Sequence, residues 1–359
     1  MTVEKRKNCV PSRFIQSIFH ASTVILRSIK SEFSLFKPAN IRRNLNEIKN
    51  YIPRELSKWE LLITFIDLAI SRYRYKATVE DYLIFEFWKK SDYSRKKVIT
   101  ERQGIDIWQA FNPPEFDHVF REKYETYQIF KPYFGREIVK YSGEGPNYVV
   151  RDFLTRNQKF FIKPNDGCAG IGTRIVDLSV YKSDLEGFLH ELQGREWIFE
   201  ELIQQEGRIS QIHPYSINTI RLNTVVIKSG VKIMSAALKV GNNRAIADNF
   251  HKGGIAAPVD LERGIINGLP VDRWNHVFVH HPLTGVKLIG FQIPNWQQII
   301  NLVNQLAEVV PQVRFVGWDI ALLSQGIPIM VEGNVHPGFQ VQSVVLENMK
   351  AAYLSILNE

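Results

Sequence analysis

The spacing of hydrophobic positions changes character about a third of the way along the chain. Up to about Pro114 it is helical. Phe14, Ile15, Ile18, Phe19, Ile25, Leu26 and Ile29 follow a helical period, and Trp59 to Ile70 is strongly apolar. Thr78-Val-Glu-Asp81 carries the capping pattern that opens a helix through Trp88. From Phe116 onward, short β-branched and aromatic runs alternate with glycine turns and helical stretches, which predicts an α+β domain with much antiparallel pairing. Pro113-Pro114 marks the break, so the expected division is a helical region 1–115 followed by an α+β domain 116–359.

Two runs near the C-terminus stand out. Val316-Gly-Trp-Asp319-Ile-Ala-Leu-Leu and Ile329-Met-Val-Glu332-Gly-Asn334 read as strands joined by the turn Ser324-Gln325-Gly326. A carboxylate in an apolar strand is costly without a partner. Residues two apart on a strand share a face, so Glu332 and Asn334 project together, and pairing of the two strands brings in Asp319. Two carboxylates and an amide form an all-oxygen set suited to Mg²⁺, which keeps waters and leans on substrate phosphates.

A glycine-rich loop points the same way. The strand Phe160-Phe-Ile-Lys163-Pro164 runs into Asn165-Asp-Gly167-Cys-Ala-Gly170-Ile-Gly172, and a second strand follows. Such a loop lets backbone N–H groups close over a polyphosphate, with Lys163 at its entrance. It lacks the Gly-Lys-Ser/Thr of a P-loop, and a strand follows it where a dinucleotide fingerprint would have a helix. Farther on, Trp197-Ile-Phe-Glu200-Glu201-Leu202-Ile203 is a strand with an acidic exit, and Ile220–Val226 carries Arg221 with Asn223 on one face. Lys239 stands in the next apolar strand, before the polar loop Asn249-Phe-His-Lys-Gly253-Gly254, and Pro294–Val310 is an amphipathic helix. Cations aimed from a sheet into a cleft suit a γ-phosphate or a carboxylate.

Composition narrows the classes. The chain has 359 residues, 45% of them hydrophobic, enough for a large core and more than one domain. Its two cysteines, Cys9 and Cys168, do not make a disulfide framework. The net charge is +8, and residues 1–60 hold twelve Lys/Arg against five Asp/Glu. An apolar stripe of this kind more often packs on its own protein, and the basic segment around it offers the alternative of peripheral contact with the cytoplasmic face of a membrane. Lys5-Arg6-Lys7 before an apolar run resembles a signal peptide, but no small-residue cleavage site follows, so a cytoplasmic protein is expected.

The order of these parts resembles the ATP-grasp superfamily, and within it the branch associated with sugar transfer and cell-surface polysaccharide genes. The likeness runs from about Phe116 to the end, and Glu332-Gly-Asn334-x-x-Pro337-Gly338 is its most specific piece. It implies the ATP-grasp fold: two α+β subdomains clasping ATP, a glycine-flap subdomain at about 145–200 and a metal-binding catalytic subdomain at about 201–359. Lys163 would hold the α- and β-phosphates with Lys123 as a second ligand, and Gly167, Gly170 and Gly172 would form the flap. Glu200, Glu201, Leu202 and Ile203 would border adenine and ribose. Arg221 and Lys239 would face the γ-phosphate, and Asp319, Glu332 and Asn334 would hold Mg²⁺ (or Mn²⁺). The helical, basic N-terminal region departs from the α/β domain usual in these ligases, so the acceptor site does not carry over.

The reaction implied is an ATP-dependent ligation of a small carboxylate to an amine through an acyl-phosphate, in polysaccharide or amino-acid conjugate synthesis, with no role for nucleic acid. A kinase of the same fold and a non-catalytic nucleotide- or membrane-binding module are the competing readings.

Overall fold

The computed structural model describes residues 37–52, 54–143, 147–165, 172–181, 184–245, 247–345 and 348–357. The apolar stripe Phe14–Ile29 and the flap residues Gly167 and Gly170 lie outside these. The chain forms two compact units, 1–95 and 96–359.

The first unit is helical, as its spacing predicts. Its longer described helices are α1 (Pro38–Tyr51), α2 (Lys58–Tyr75) and α3 (Val79–Ile84). Ser57 caps α2 in a reciprocal pair with Glu60, and Thr78 caps α3 the same way with Asp81. Helix α3 stops at Ile84 rather than running to Trp88, because Glu86 turns left-handed at φ 50° and a 3₁₀ turn follows. That break lets Phe85 and Phe87 both enter the core beside Tyr82 and Leu83. Arg95 grips Asp67 through two hydrogen bonds of 2.7 and 2.8 Å and tethers the Phe87 carbonyl.

The second unit begins before Pro113-Pro114, earlier than the boundary expected from those prolines. Helix α4 (Glu101–Phe111) explains the difference: its Ile107 and Phe111 pack with Val225, Phe315, Phe339 and Tyr353. Asn112 then donates to the Phe315 and Val335 carbonyls at 2.7 and 2.8 Å and accepts from the Phe315 N–H. The prolines sit in a turn on the surface of this domain, after its first helix.

Two antiparallel sheets build the rest. The smaller, ordered β1-β4-β2-β3, comprises β1 (Ile138–Tyr141), β2 (Lys159–Pro164), β3 (Arg174–Asp177) and β4 (Trp197–Glu201). Its core holds Val139, Phe153, Phe160, Ile162, Phe188 and Phe199. The larger, ordered β7-β6-β5-β8-β9, comprises β5 (Thr219–Ile227), β6 (Gly230–Val240), β7 (Ile255–Pro258), β8 (Phe315–Leu322) and β9 (Pro328–Asn334). Helix α5 (Lys123–Phe134) and helix α6 (Trp296–Val309) supply Phe130, Phe134, Ile299, Val303 and Leu306 to a core with Leu222, Trp318 and Met330. The α+β character and the helical N-terminal region expected from the sequence are both present.

Candidate active site

Register in the larger sheet gathers the charged residues. Arg221 on β5 lies opposite Asp319 on β8, and Asp319 lies opposite Glu332 on β9. Thr219 on β5 lies opposite Lys239 on β6, two residues along and so on the same face as Arg221. Arg221 donates to both Asp319 oxygens at 2.7 Å, and Lys239 Nζ donates to Oδ2 at 3.1 Å. All three side chains are nearly buried. Burial alone would raise the Asp319 pKa; the Arg221 and Lys239 cations outweigh it and hold the carboxyl well below the usual range. Asp319 is therefore a fixed anion between two cations.

Glu332 and Asn334 project together from β9, as period-two alternation requires, and Asn334 Nδ2 donates to Glu332 Oε1 at 3.1 Å. Asn334 also reaches the Gly317 carbonyl at 3.4 Å. A Cβ at Gly317 would stand 2.7 Å from Pro337 and 2.8 Å from Asn223 Oδ1, so a side chain there would displace Pro337 and the Asn223 side chain.

Asp248, which the sequence reading passed over, joins this cluster. It accepts from the Thr219 N–H at 3.0 Å and from the Thr219 hydroxyl, and it stands 3.6 Å from Lys239 Nζ. Burial pushes its pKa up; Lys239 opposes the shift and the nearby Asp319 charge adds to it. Its only sequence signal is its place just before Asn249-x-x-x-Gly253-Gly254. In that loop Asn249 caps a 3₁₀ turn at the His251 N–H, and Gly253 at φ 92° takes the left-handed turn out of it.

A second cluster lies on the smaller sheet. Lys163 on β2 forms an ion pair with Glu200 on β4, and Arg136 binds the same carboxylate at 2.7 and 3.0 Å. Arg136 also donates to the Met330 carbonyl at 3.0 Å, tying this cluster to β9. Burial alone would raise the Glu200 pKa, but Lys163 and Arg136 bring it down to about 2. The Glu200 carboxylate thus points inward between cations, away from the strand exit where the sequence reading places it. Glu201 accepts from the Glu137 N–H at 2.6 Å, while Leu202 is exposed and Ile203 half-buried beyond the strand. Arg136, just after a left-handed Gly135, carries no local sequence mark.

Lys123 opens α5 beside the base of the flap, where its Nζ donates to the Asn165 carbonyl at 3.3 Å. The Asn165 side chain is buried, accepting from the Tyr124 N–H and donating to Glu122 and Glu196. Gly172 at φ 77° packs over Pro164.

Strand–Lys–Pro with its glycine loop, and the facing strands carrying Arg, Lys, Asp and Glu-x-Asn, all lie within the region that a family model matches. The model, described as sugar-transfer associated ATP-grasp, covers residues 147–352. The chain belongs to that family. Among solved structures, it is similar to the ATP-grasp ligase PsnB complexed with minimal precursor, Mg and ADP. That match has 13% identity, 69% coverage of this chain, 62% of the other and a TM-score of 0.42. A D-alanine–D-alanine ligase from Bacillus anthracis gives 11%, 67%, 68% and 0.40, and an L-amino acid ligase from Bacillus licheniformis 14%, 67%, 48% and 0.39. The chain thus spans less than two thirds of the PsnB chain. No curated protein sequence matches it.

One expectation follows at the flap entrance. If Lys163 binds phosphate, Lys163→Ala should cost a charge-assisted contact of about 1.5–3 kcal/mol and lower ATP affinity about tenfold or more. Arg136 continues to neutralise Glu200, which keeps the variant folded. Calorimetry that returns unchanged ATP affinity in the folded variant excludes Lys163 as a phosphate ligand.

Proposed function

We propose that this protein is an ATP- and Mg²⁺-dependent ligase that joins a small carboxylate to an amine through an acyl-phosphate. The observation that carries the reading is one face of the larger sheet, where Arg221 and Lys239 are gathered on Asp319 next to Glu332 and Asn334. Among the described residues no three His, Cys, Asp or Glu side chains gather for a metal. The donor set of two carboxylates and an amide oxygen fits a hard cation that takes its other ligands from water and phosphate. Asp319, kept ionised, retains lone pairs beyond those used by Arg221 and Lys239. Asp319, Glu332 and Asn334 would hold Mg²⁺, which when bound neutralises charge between the β- and γ-phosphates.

The protein's own groups then have distinct tasks. Lys163, Lys123 and the flap bind and orient the triphosphate. Arg221 and Lys239 present two positive charges to the γ-phosphoryl group as a substrate carboxylate oxygen attacks phosphorus and ADP leaves. Water must be kept from the resulting mixed anhydride for it to last until an amine attacks. An amine attacks its acyl carbon, phosphate departs with the C–O bond electrons, and the amine proton is released. A carbohydrate-linked substrate is in keeping with the sugar-transfer association in the family's description.

The decisive assay uses the wild-type protein with ATP and candidate carboxylates, hydroxylamine replacing the amine. A hydroxamate formed with ADP supports the ligase. ADP formed with a phosphorylated acceptor, and neither hydroxamate nor amide, overturns it in favour of phosphoryl transfer.

A further inference from the structure

The first unit carries a feature that ATP chemistry does not use. Helix α2 buries Leu61, Phe65, Leu68 and Tyr75 on one side, yet Trp59, Leu62, Ile63, Ile66, Ile70 and Tyr73 are between 45% and 80% exposed on the other. These six recur at helical spacing along a rod about 27 Å long. Within the stripe, Leu62, Ile66, Ala69, Ile70 and Tyr73 line an open apolar groove of about 740 Å³ that ends at Arg74. Solvent-exposed apolar surface on this scale marks an interaction face.

Charge decides what it meets. Residues 1–95 hold eighteen Lys/Arg against ten Asp/Glu, a balance of +8, whereas residues 96–359 hold twenty-seven of each. The whole net charge therefore sits in the unit that bears the stripe. The two acids of α2 are already engaged: Glu60 caps the helix and binds Arg54, and Asp67 holds Arg95 and Tyr82. Lys58 stands at one end of the stripe beside Trp59, and Arg72, Arg74 and Lys76 stand at the other beside Tyr73, with Arg74 paired to Asp92 at 3.1 Å. An apolar strip ending in aromatic and basic residues matches a headgroup boundary, where aromatic rings take the interface and cations meet anionic lipid. A second copy of so basic a unit would be repelled. Among the described residues no helix is long and apolar enough to cross a membrane, so the contact lies along its surface.

We infer that the exposed face of α2 docks this protein flat on an anionic lipid bilayer. The stripe enters the headgroup–acyl boundary while the surrounding cations hold the phosphates. The stripe belongs to unit 1–95 and the candidate ATP-site residues to unit 96–359, so failure of this inference leaves the proposed ligase untouched.

The test is co-sedimentation of the full chain with vesicles of neutral phosphatidylcholine, and with vesicles in which a fraction is replaced by phosphatidylglycerol. Binding should require the anionic lipid and weaken with salt. The double variant Ile63→Glu, Ile66→Glu alters two exposed positions, so it should keep the wild-type circular dichroism and melting temperature. Its partition coefficient should drop about tenfold or more. A conservative Ile63→Leu, Ile66→Leu pair should restore binding. If the wild type ignores both vesicles, the inference fails. It fails equally if the glutamate variant binds as well as wild type, since the basic N-terminal segment would then suffice. Wild-type dimers that the glutamate variant dissolves, without vesicle binding, would assign the face to a second copy and overturn it.

Discussion

Asp319→Asn should abolish turnover and destabilise the fold by about 3–5 kcal/mol, because it leaves two buried cations without their anion. Glu332→Gln should lower turnover by a factor of about 10² or more and leave stability nearly unchanged. The two carboxylates face each other across β8 and β9, but their surroundings differ. Asp319 is buried and held by Arg221 and Lys239, whereas Glu332 is exposed with Asn334 as its neighbour. Loss of charge is therefore expected to affect both fold and turnover at the first position and turnover alone at the second. Urea midpoints and ADP release measured on both variants check the contrast. An active Glu332→Gln enzyme with wild-type Mg²⁺ dependence would remove Glu332 from the metal set. Equal destabilisation by the two substitutions would make Glu332 a structural residue.

Several parts of this arrangement are legible in the sequence because they depend on local periodicity. Alternation puts Glu332 with Asn334, the Ser324-Gln325-Gly326 turn pairs their strand with that of Asp319, and the amphipathic stretch Pro294–Val310 becomes α6, which buries Ile299, Leu302, Val303 and Leu306. Arg136 and Asp248 are legible in no such way. Arg136 meets Glu200 sixty-four residues later and a β9 carbonyl far beyond that. Asp248 finds Thr219 and Lys239 by crossing strands. Neither contact has a local period that would reveal it.

Glu200 shows a different limit. At the exit of an apolar strand, an acidic residue reads as solvated, and its inward orientation becomes visible only with β2 on one side and β1 on the other. Three successive residues of β4, Ile198, Phe199 and Glu200, are buried, since both faces of this inner strand are covered. The domain boundary follows the same logic. Pro113-Pro114 marks a turn correctly, yet whether the preceding helix belongs to the earlier or later unit depends on what its apolar face meets, here Phe315, Phe339 and Tyr353.

That inward carboxylate gives a second large effect. Glu200→Gln preserves shape while leaving Arg136 and Lys163 with no counter-charge, so the variant should lose about 3–5 kcal/mol at neutral pH. The pH dependence identifies the cause. The folded pKa of Glu200 is about 2, below its ordinary value of 4.5. The ionised form is thus the one the fold prefers, and its stabilisation is complete above about pH 5. It fades as pH falls from 4.5 toward 2. The gap in unfolding free energy between wild type and Glu200→Gln should accordingly be widest near neutrality and narrow through that window. Asp319, also held ionised, destabilises both proteins as acid is added and cancels in the difference. Denaturant titrations at several pH values measure the gap directly. A gap that stays constant down to the lowest pH would mean that the variant loses packing or hydrogen bonds rather than charge. The Lys163–Glu200–Arg136 pairing would then not be what joins the small sheet to β9.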